Sequence, residues 1–187
     1  MNDSRVRRAT PGELTDTQLD LYRRITEGPR ARGPQHFALT RPDGSLRGPF
    51  DAFLLQPALG AALQELGASI RFSGKLEARV REIAILSVAA HWQSAFEQAA
   101  HESVGRAVGL TDAELEALRR HDTMVLAADD RIIADAALQL ARAGDLDDRL
   151  WGEAENLIGR DGIFELTVIV GYYAMLALQL RTFRVEG

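Results

Sequence analysis

Leu76 to Leu110 reads LEARVREIAILSVAAHWQSAFEQAAHESVGRAVGL, and this stretch decides the fold class. Its Ile83–Ala90 segment is apolar on every side of a helix rather than along one stripe, so residues 75–90 are predicted to form a central, buried helix. Ser94-x-x-Glu97 has capping-box spacing and opens a second helix, which Gly109 ends. A turn around His91–Gln93 joins the two as a hairpin. Four polar side chains, Glu82, Ser94, Glu97 and His101, stand on this apolar ground, where polar groups are costly to bury unless paired or used.

Glu97 and His101 are four residues apart and share a helix face, with Ser94 about one turn back. Glu82 comes from the preceding helix and faces the same pocket if the hairpin closes. A carboxylate beside an imidazole is an acid/base pair, because the acid orients the ring and raises its basicity. A second carboxylate on an apolar helix is expected to hold its proton. Each residue also has a structural role open to it. Ser94 and Glu97 could simply cap their helix, His101 could be satisfied by Glu97, and Arg79 lies three residues before Glu82 as a potential ion-pair partner. Glu82, Glu97, His101 and His91 offer metal donors, but Glu-x-x-x-His is not the Glu-x-x-His of di-iron bundles, and no metal is expected.

Working outward, Leu19, Tyr22 and Ile25 mark a short helix over 15–27, stopped by Gly28-Pro29. Residues 28–50 hold four prolines and four glycines, including the turn Pro42-Asp43-Gly44-Ser45, and read as an extended arm suited to a subunit contact. A helix over 57–69 places Leu59, Leu63 and Leu66 on one face. Thr111-x-x-Glu114 caps another helix, residues 123–142 form the next up to Gly144, and Asp147 or a nearby Asp caps one that runs to Ile158. Gly159–Gly162 links to a last apolar helix over 163–182. Glu165-Leu-Thr-Val-Ile-Val-Gly faintly echoes Glu82-Ile-Ala-Ile-Leu-Ser-Val, as two core helices with acidic heads. No alternating strand pattern competes. The expected architecture is all-α, a bundle of about six to seven helices over 51–187 behind an N-terminal helix and arm over 1–50.

Composition narrows the function. A chain of 187 residues with 46% hydrophobic content is long enough for a sizeable core. The net charge of −5 argues against nucleic acid as a partner, although residues 1–50 carry nine Arg against six acids. There is no cysteine, which removes disulfides, thiolate metal sites and every protein-thiol mechanism. Lys75 is the only lysine, so a Schiff base would have to use it. The N-terminal MNDSRVRRATPGELTD has no apolar core of a signal peptide. The longest uncharged run, Leu166–Leu180, is shorter than the roughly 20 residues of a membrane span. A cytoplasmic protein without a membrane partner is expected. Nucleotide-binding glycine motifs and the G-x-S-x-G elbow are absent.

The stretch resembles the carboxymuconolactone decarboxylase family, whose relatives include alkyl hydroperoxidase D-like proteins. The residues that carry the resemblance are Arg81-Glu82-Ile83-Ala84-Ile85-Leu86, then Ser94-Ala95-Phe96-Glu97-Gln98-Ala99-Ala100-His101, closing at Gly109-Leu110. Arg47-Gly48-Pro49-Phe50 and Gln56-Pro57-Ala58-Leu59-Gly60 are similar to the family's lead-in, and Tyr172-Tyr173 and Arg181-Thr182-Phe183 extend the likeness downstream. In the peroxidase branch a C-x-x-C pair lies between the glutamate and the histidine. By resemblance its sulfur positions fall on Ser94 and Glu97, and its proton-relay pair on Glu82 and His101. Thiol peroxidase activity is therefore not expected.

What the resemblance implies instead is a cofactor-free acid/base lyase of aromatic catabolism, acting on a small unsaturated lactone or organic acid. His101 or a protonated Glu82 would supply the proton as carbon dioxide leaves, with Glu97 orienting the histidine. Ser94 and an arginine, Arg79 or Arg81, would hold the substrate, the arginine gripping its carboxylate. Gln98 stands where the family usually has an aromatic residue. Self-association as a trimer or hexamer is implied as well. The alternative is a non-catalytic, ligand-binding oligomer on the same fold.

Overall fold

Helix-forming stretches separated by caps and glycines account for nearly all of the computed structural model, which describes residues 4–28 and 36–185. Eight α-helices follow in order: α1 (Asp16–Thr26), α2 (Pro49–Phe53), α3 (Pro57–Phe72), α4 (Ala78–Trp92), α5 (Ala95–Ala107), α6 (Asp112–Arg120), α7 (Ala128–Ala143) and α8 (Asp148–Phe183). Among the described residues the only β pairing is one isolated bridge, Thr40 to Leu46. The all-α class is as the sequence indicates. The chain divides into two compact units, residues 74–177 and residues 1–73 with 178–187.

The larger unit is built around α4, which is buried without interruption from Glu82 to Ala89 and packs against α5, α6 and α7. Ser87 satisfies itself there by donating to Ile83 O (2.8 Å). Before α4, the backbone N–H groups of Lys75 and Leu76 donate to Glu165 Oε2 at 2.7 and 3.2 Å, so this acid of α8 anchors the approach to the central helix. Gln93, in the left-handed conformation at φ 53°, ends α4, and Ser94 N–H returns to Ala89 O (2.9 Å). That sharp reversal lies where the hairpin is predicted. Thr111 and Glu114 form the expected reciprocal cap of α6. The helix expected over 123–142 begins only at Ala128, after a separate 3₁₀ turn at Thr123–Val125.

Gly159 interrupts α8 at φ 69°, ψ 173°, a backbone region essentially confined to glycine, and so separates the two helices expected on either side of it. By length and composition α8 is apolar enough to cross a membrane. Beyond the break it buries Leu166, Ile169, Val170, Tyr172 and Tyr173 while exposing Phe164, as a core helix does.

In the smaller unit α1 buries Leu21 and Ile25 and packs on α3, as α2 does. Of the arm expected over 28–50, residues 29–35 lie outside the described residues. The rest turns at Asp43, whose Oδ1 accepts from Ser45 N–H and Oγ–H (2.9 and 2.7 Å). It is tied down by Arg41, which donates to the buried Asp51 (2.8 Å). The buried face of α3 is not the one that carries its leucines. Gly60, Gln64, Gly67 and Ile70 are buried, while Leu59 and Leu66 are 65% and 39% exposed. The cause is close approach. A Cβ at Gly60 would stand 2.5 Å from Phe53 O and 2.8 Å from Leu21 Cδ2, so only glycine lets α1 and α2 seat there.

Gly60→Ala is therefore expected to destabilise the protein by about 1–3 kcal/mol, because the clash is with backbone that cannot give way. Thermal unfolding followed by circular dichroism checks this. An unchanged midpoint would show that the contact relaxes freely.

Candidate active site

The α4–α5 hairpin and α8 bring the candidate polar residues together. Glu82 is the first fully buried residue of α4, and His101 of α5 reaches across to it. His101 Nδ1 and Glu82 Oε2 are 2.7 Å apart. In the tautomer that donates Nδ1–H to the carboxylate, Nε2 is the ring nitrogen left for another partner. Tyr173 packs edge-on against the imidazole with centroids 5.0 Å apart, and Tyr172 stacks edge-on to Tyr173 at 5.4 Å. The ring is thus clamped between a carboxylate and an aromatic wall. Here the structure corrects the expected partner. His101 is held by Glu82 from the neighbouring helix, not by Glu97 on its own.

Glu97 has a different environment. It is 2% exposed, and neither carboxyl oxygen has a hydrogen-bond partner. The anticipated capping box does not form. The Ser94 side chain caps no backbone amide, and its Oγ is also buried without a partner. Desolvation therefore pushes the Glu97 carboxyl up to about 8; Ser94 Oγ stands near enough to oppose this weakly but outside hydrogen-bond geometry. At neutral pH Glu97 is a carboxylic acid with a proton to give. It projects from α5 one turn before His101, on the same face.

The two arginines part company. Arg79 donates to Asp130 Oδ2 through Nε and Nη2 (3.0 and 2.7 Å), to Glu114 Oε1 (2.6 Å) and to Gly109 O (2.7 Å), tying α4 to α6 and α7. Four of its five donors are spent on structure, so it is not free to grip a substrate carboxylate in a bidentate fork. Nor does it pair with Glu82. Arg81 has its Nε 3.9 Å from Glu82 Oε1, and its side chain is only 13% exposed. Its one described hydrogen bond is a long one, to Leu76 O (3.4 Å), and its buried Nε has none. Arg81 is the guanidinium with capacity left beside the Glu82–His101 pair.

The neighbourhood of Gln98, in the position where an aromatic residue was looked for, is polar. Gln98 donates to Glu102 (2.7 Å), and the buried Glu102 carboxylate also receives the Arg119 guanidinium, which keeps it ionised despite burial. Ser94, Gln98 and Arg119 line a cavity of about 270 Å³ at the start of α5. A larger cavity of about 460 Å³ lies near Lys75, Arg79 and the Gly159 break. Among the described residues no three His, Asp or Glu side chains converge to hold a metal ion. Tyr173 is the residue whose place against the imidazole sequence reasoning did not assign. Its signal was the Tyr172-Tyr173 pair in an otherwise aliphatic helix.

The site is thus a buried Glu–His pair on a helical hairpin within an all-helical bundle, in a chain without cysteine. A crystal structure described as an alkylhydroperoxidase AhpD core, an uncharacterized peroxidase-related protein from Ralstonia eutropha JMP134, superposes with a TM-score of 0.77. The alignment covers 98% of this chain and 91% of that one, at 13% identity, a likeness of fold. Residues 57–143, a little under half of the chain, match the carboxymuconolactone decarboxylase family, and the chain has no cysteine. No curated protein matches the sequence.

Burial of Glu97 has a measurable consequence for stability. Its folded value near 8 lies above the ordinary 4.5, so between these pH values the unfolded chain has released a proton that the folded one keeps. Stability therefore falls by about 1.4 kcal/mol per pH unit across that window from this group, and levels off above it. Glu97→Gln removes the slope. Urea denaturation is expected to show the variant gaining roughly 3–4 kcal/mol more over wild type at pH 8 than at pH 5. An equal difference at both pH values would show that Glu97 ionises as an ordinary carboxylate.

Proposed function

We propose that this protein is a cofactor-free acid/base lyase acting on a small unsaturated lactone or organic acid that carries a carboxylate. The observation that carries the reading is the contrast between two buried carboxyls. Glu82 is spent on holding His101, while Glu97, with neither oxygen bonded, keeps a proton near neutral pH. Two acids driven apart by environment divide into acid and base roles.

In the proposed reaction the substrate carboxylate docks on Arg81, with Ser94 Oγ available to hydrogen-bond the lactone. The carbon–carbon bond to the carboxylate breaks, carbon dioxide leaves, and the electron pair passes into the conjugated carbonyl system. Glu97 then protonates the skeleton carbon. His101, oriented by Glu82, then takes a proton from water through Nε2 and passes it to Glu97, restoring the acid for the next turnover. The proposal includes a cytoplasmic protein that self-associates and serves the breakdown of aromatic acids. The family match over 57–143 and the AhpD-like fold support its coarse outline.

Turnover of a panel of unsaturated lactone acids, followed by ¹H NMR, tests the reading. Wild type is expected to lose the substrate's carboxyl-bearing signal pattern. His101→Ala and Glu97→Gln are expected to fall by at least 100-fold while remaining folded. Because the donor must be protonated, kcat should decline as pH rises through about 8. No turnover by wild type on any member would favour a ligand-binding role instead.

The arginines give a second, separable test. Arg81→Ala is expected to raise KM about tenfold or more with little change in melting temperature. Arg79→Ala, which strands Asp130 and Glu114, should lower the melting temperature instead. The reverse pattern would move the carboxylate clamp to Arg79.

A further inference from the structure

Ser94 belongs to two features at once: its Oγ lies near Glu97, and the residue also lines the cavity of about 270 Å³ at the start of α5. A molecule held against Ser94 and Glu97 therefore has this cavity to extend into. Ala89, Ala90 and Ala95 keep the space open, and Gln98 and Arg119 give it a polar wall. Pockets that enclose a whole drug-sized ligand start at roughly 300 Å³, so this one receives one end of a small acid. Gln98 follows Ser94 by about one turn of α5, roughly 6 Å along the axis.

A glutamine amide offers donors on one edge and an acceptor on the other, and its neighbours decide which edge faces where. Gln98 Nε2 donates to Glu102 Oε1 at 2.7 Å. Glu102 is 4% exposed, and burial works against its ionisation. The Arg119 guanidinium, donating through Nε and Nη2 to both carboxylate oxygens, outweighs that together with Gln98 and holds the carboxyl below its usual range. An ionised carboxylate accepts only, so the Gln98 amide is not free to turn over. Gln98 lines the cavity and Glu102 does not, which leaves Gln98 Oε1 as the amide edge a ligand meets. Arg119 is committed on its third nitrogen as well, Nη1 donating to Glu116 Oε2 (2.9 Å), and so braces this acceptor rather than clamping a ligand. We propose, resting on the lyase reading above, that Gln98 determines specificity and that the substrate bears a hydroxyl at the end remote from the carboxylate held by Arg81. A substrate lacking that hydroxyl would cover Gln98 Oε1 without pairing it, and a second carboxylate there would face an oxygen that only accepts.

Binding of unreactive analogues to the full-length protein, measured by titration calorimetry, tests this apart from turnover. The probes are a saturated butyrolactone carboxylate and its derivatives carrying a hydroxyl or an oxo group on the carbon remote from the carboxylate. They lack the conjugated system that the proposed decarboxylation needs. Wild type is expected to bind the hydroxyl derivative at least tenfold more tightly than the parent. Gln98→Met keeps the side-chain length, removes the acceptor and should abolish that preference. Glu102→Gln lets the Gln98 amide turn its Nε2 into the cavity, and the preference should pass to the oxo derivative. Equal binding of parent and hydroxyl derivative by wild type would overturn the inference. So would binding of neither, or a hydroxyl preference retained in either variant. Turnover of lactone acids without any hydroxyl preference would sink this inference alone, whereas a hydroxyl preference without turnover on any lactone acid would sink the lyase reading.

Discussion

A helix with no solvent face imposes a strict rule on its polar residues, and α4 between Glu82 and Ala89 is such a helix. Ser87 obeys the rule within α4 by bonding back to Ile83 O. Glu82 cannot do so and needs a partner from another element. That partner is His101, and the geometry of the site follows from it. The reversal at Gln93 must be tight enough to set α5 alongside α4, and His101 must lie near two turns into α5 to reach back. Tyr173 of α8 closes the other side of the ring. Glu82–His101 is thus at once a structural tie between two helices and the most chemically capable pair in the larger unit.

Glu97 breaks the rule that Glu82 obeys. Two unbonded carboxyl oxygens beside an unbonded hydroxyl form the kind of local conflict that stability alone would remove. Glutamine or leucine there would fold more easily. An acid kept neutral by its surroundings is able to donate a proton at a pH where a solvated carboxylate has none to give. Destabilisation and chemical competence come from the same desolvation, and this links the stability of the fold to the chemistry proposed for it.

Much of the fold is legible in local sequence because local physics produces it. The all-round apolarity of Ile83–Ala90 marks the central helix, Thr111 with Glu114 marks the start of α6, and Gly159 marks the break in α8. Two readings fail for a common reason. Ser94-x-x-Glu97 has the same spacing whether its side chains turn back to cap the helix or turn inward, and only the tertiary surroundings decide. The four-residue spacing of Glu97 and His101 likewise looks the same whether the two side chains pair or not. On α3 the buried face was marked by Gly60, where a larger residue would meet Phe53 O and Leu21. The pairing of His101 with Glu82 rather than Glu97, and the contact with Tyr173, are long-range facts that helical periodicity does not carry.

The residues at the positions resembling a C-x-x-C pair show what a buried hairpin can support once sulfur is gone. A thiol pair there stores electrons, because two sulfurs can join and part. A hydroxyl and a carboxyl cannot join in that way under mild conditions, but both exchange protons and hydrogen bonds. Burial acts on either pair by the same principle, penalising the charged form and holding the acid in its protonated state. In a thiol enzyme that penalty must be overcome before a nucleophile exists. In a proton donor it is an advantage, since it keeps Glu97 loaded near neutral pH. The Glu82–His101 pair would need no change for either task, since the proposed chemistry asks it only to move a proton to and from a neighbouring group. On the proposed reading, two side chains at the start of α5 decide whether such a hairpin would carry electrons or protons.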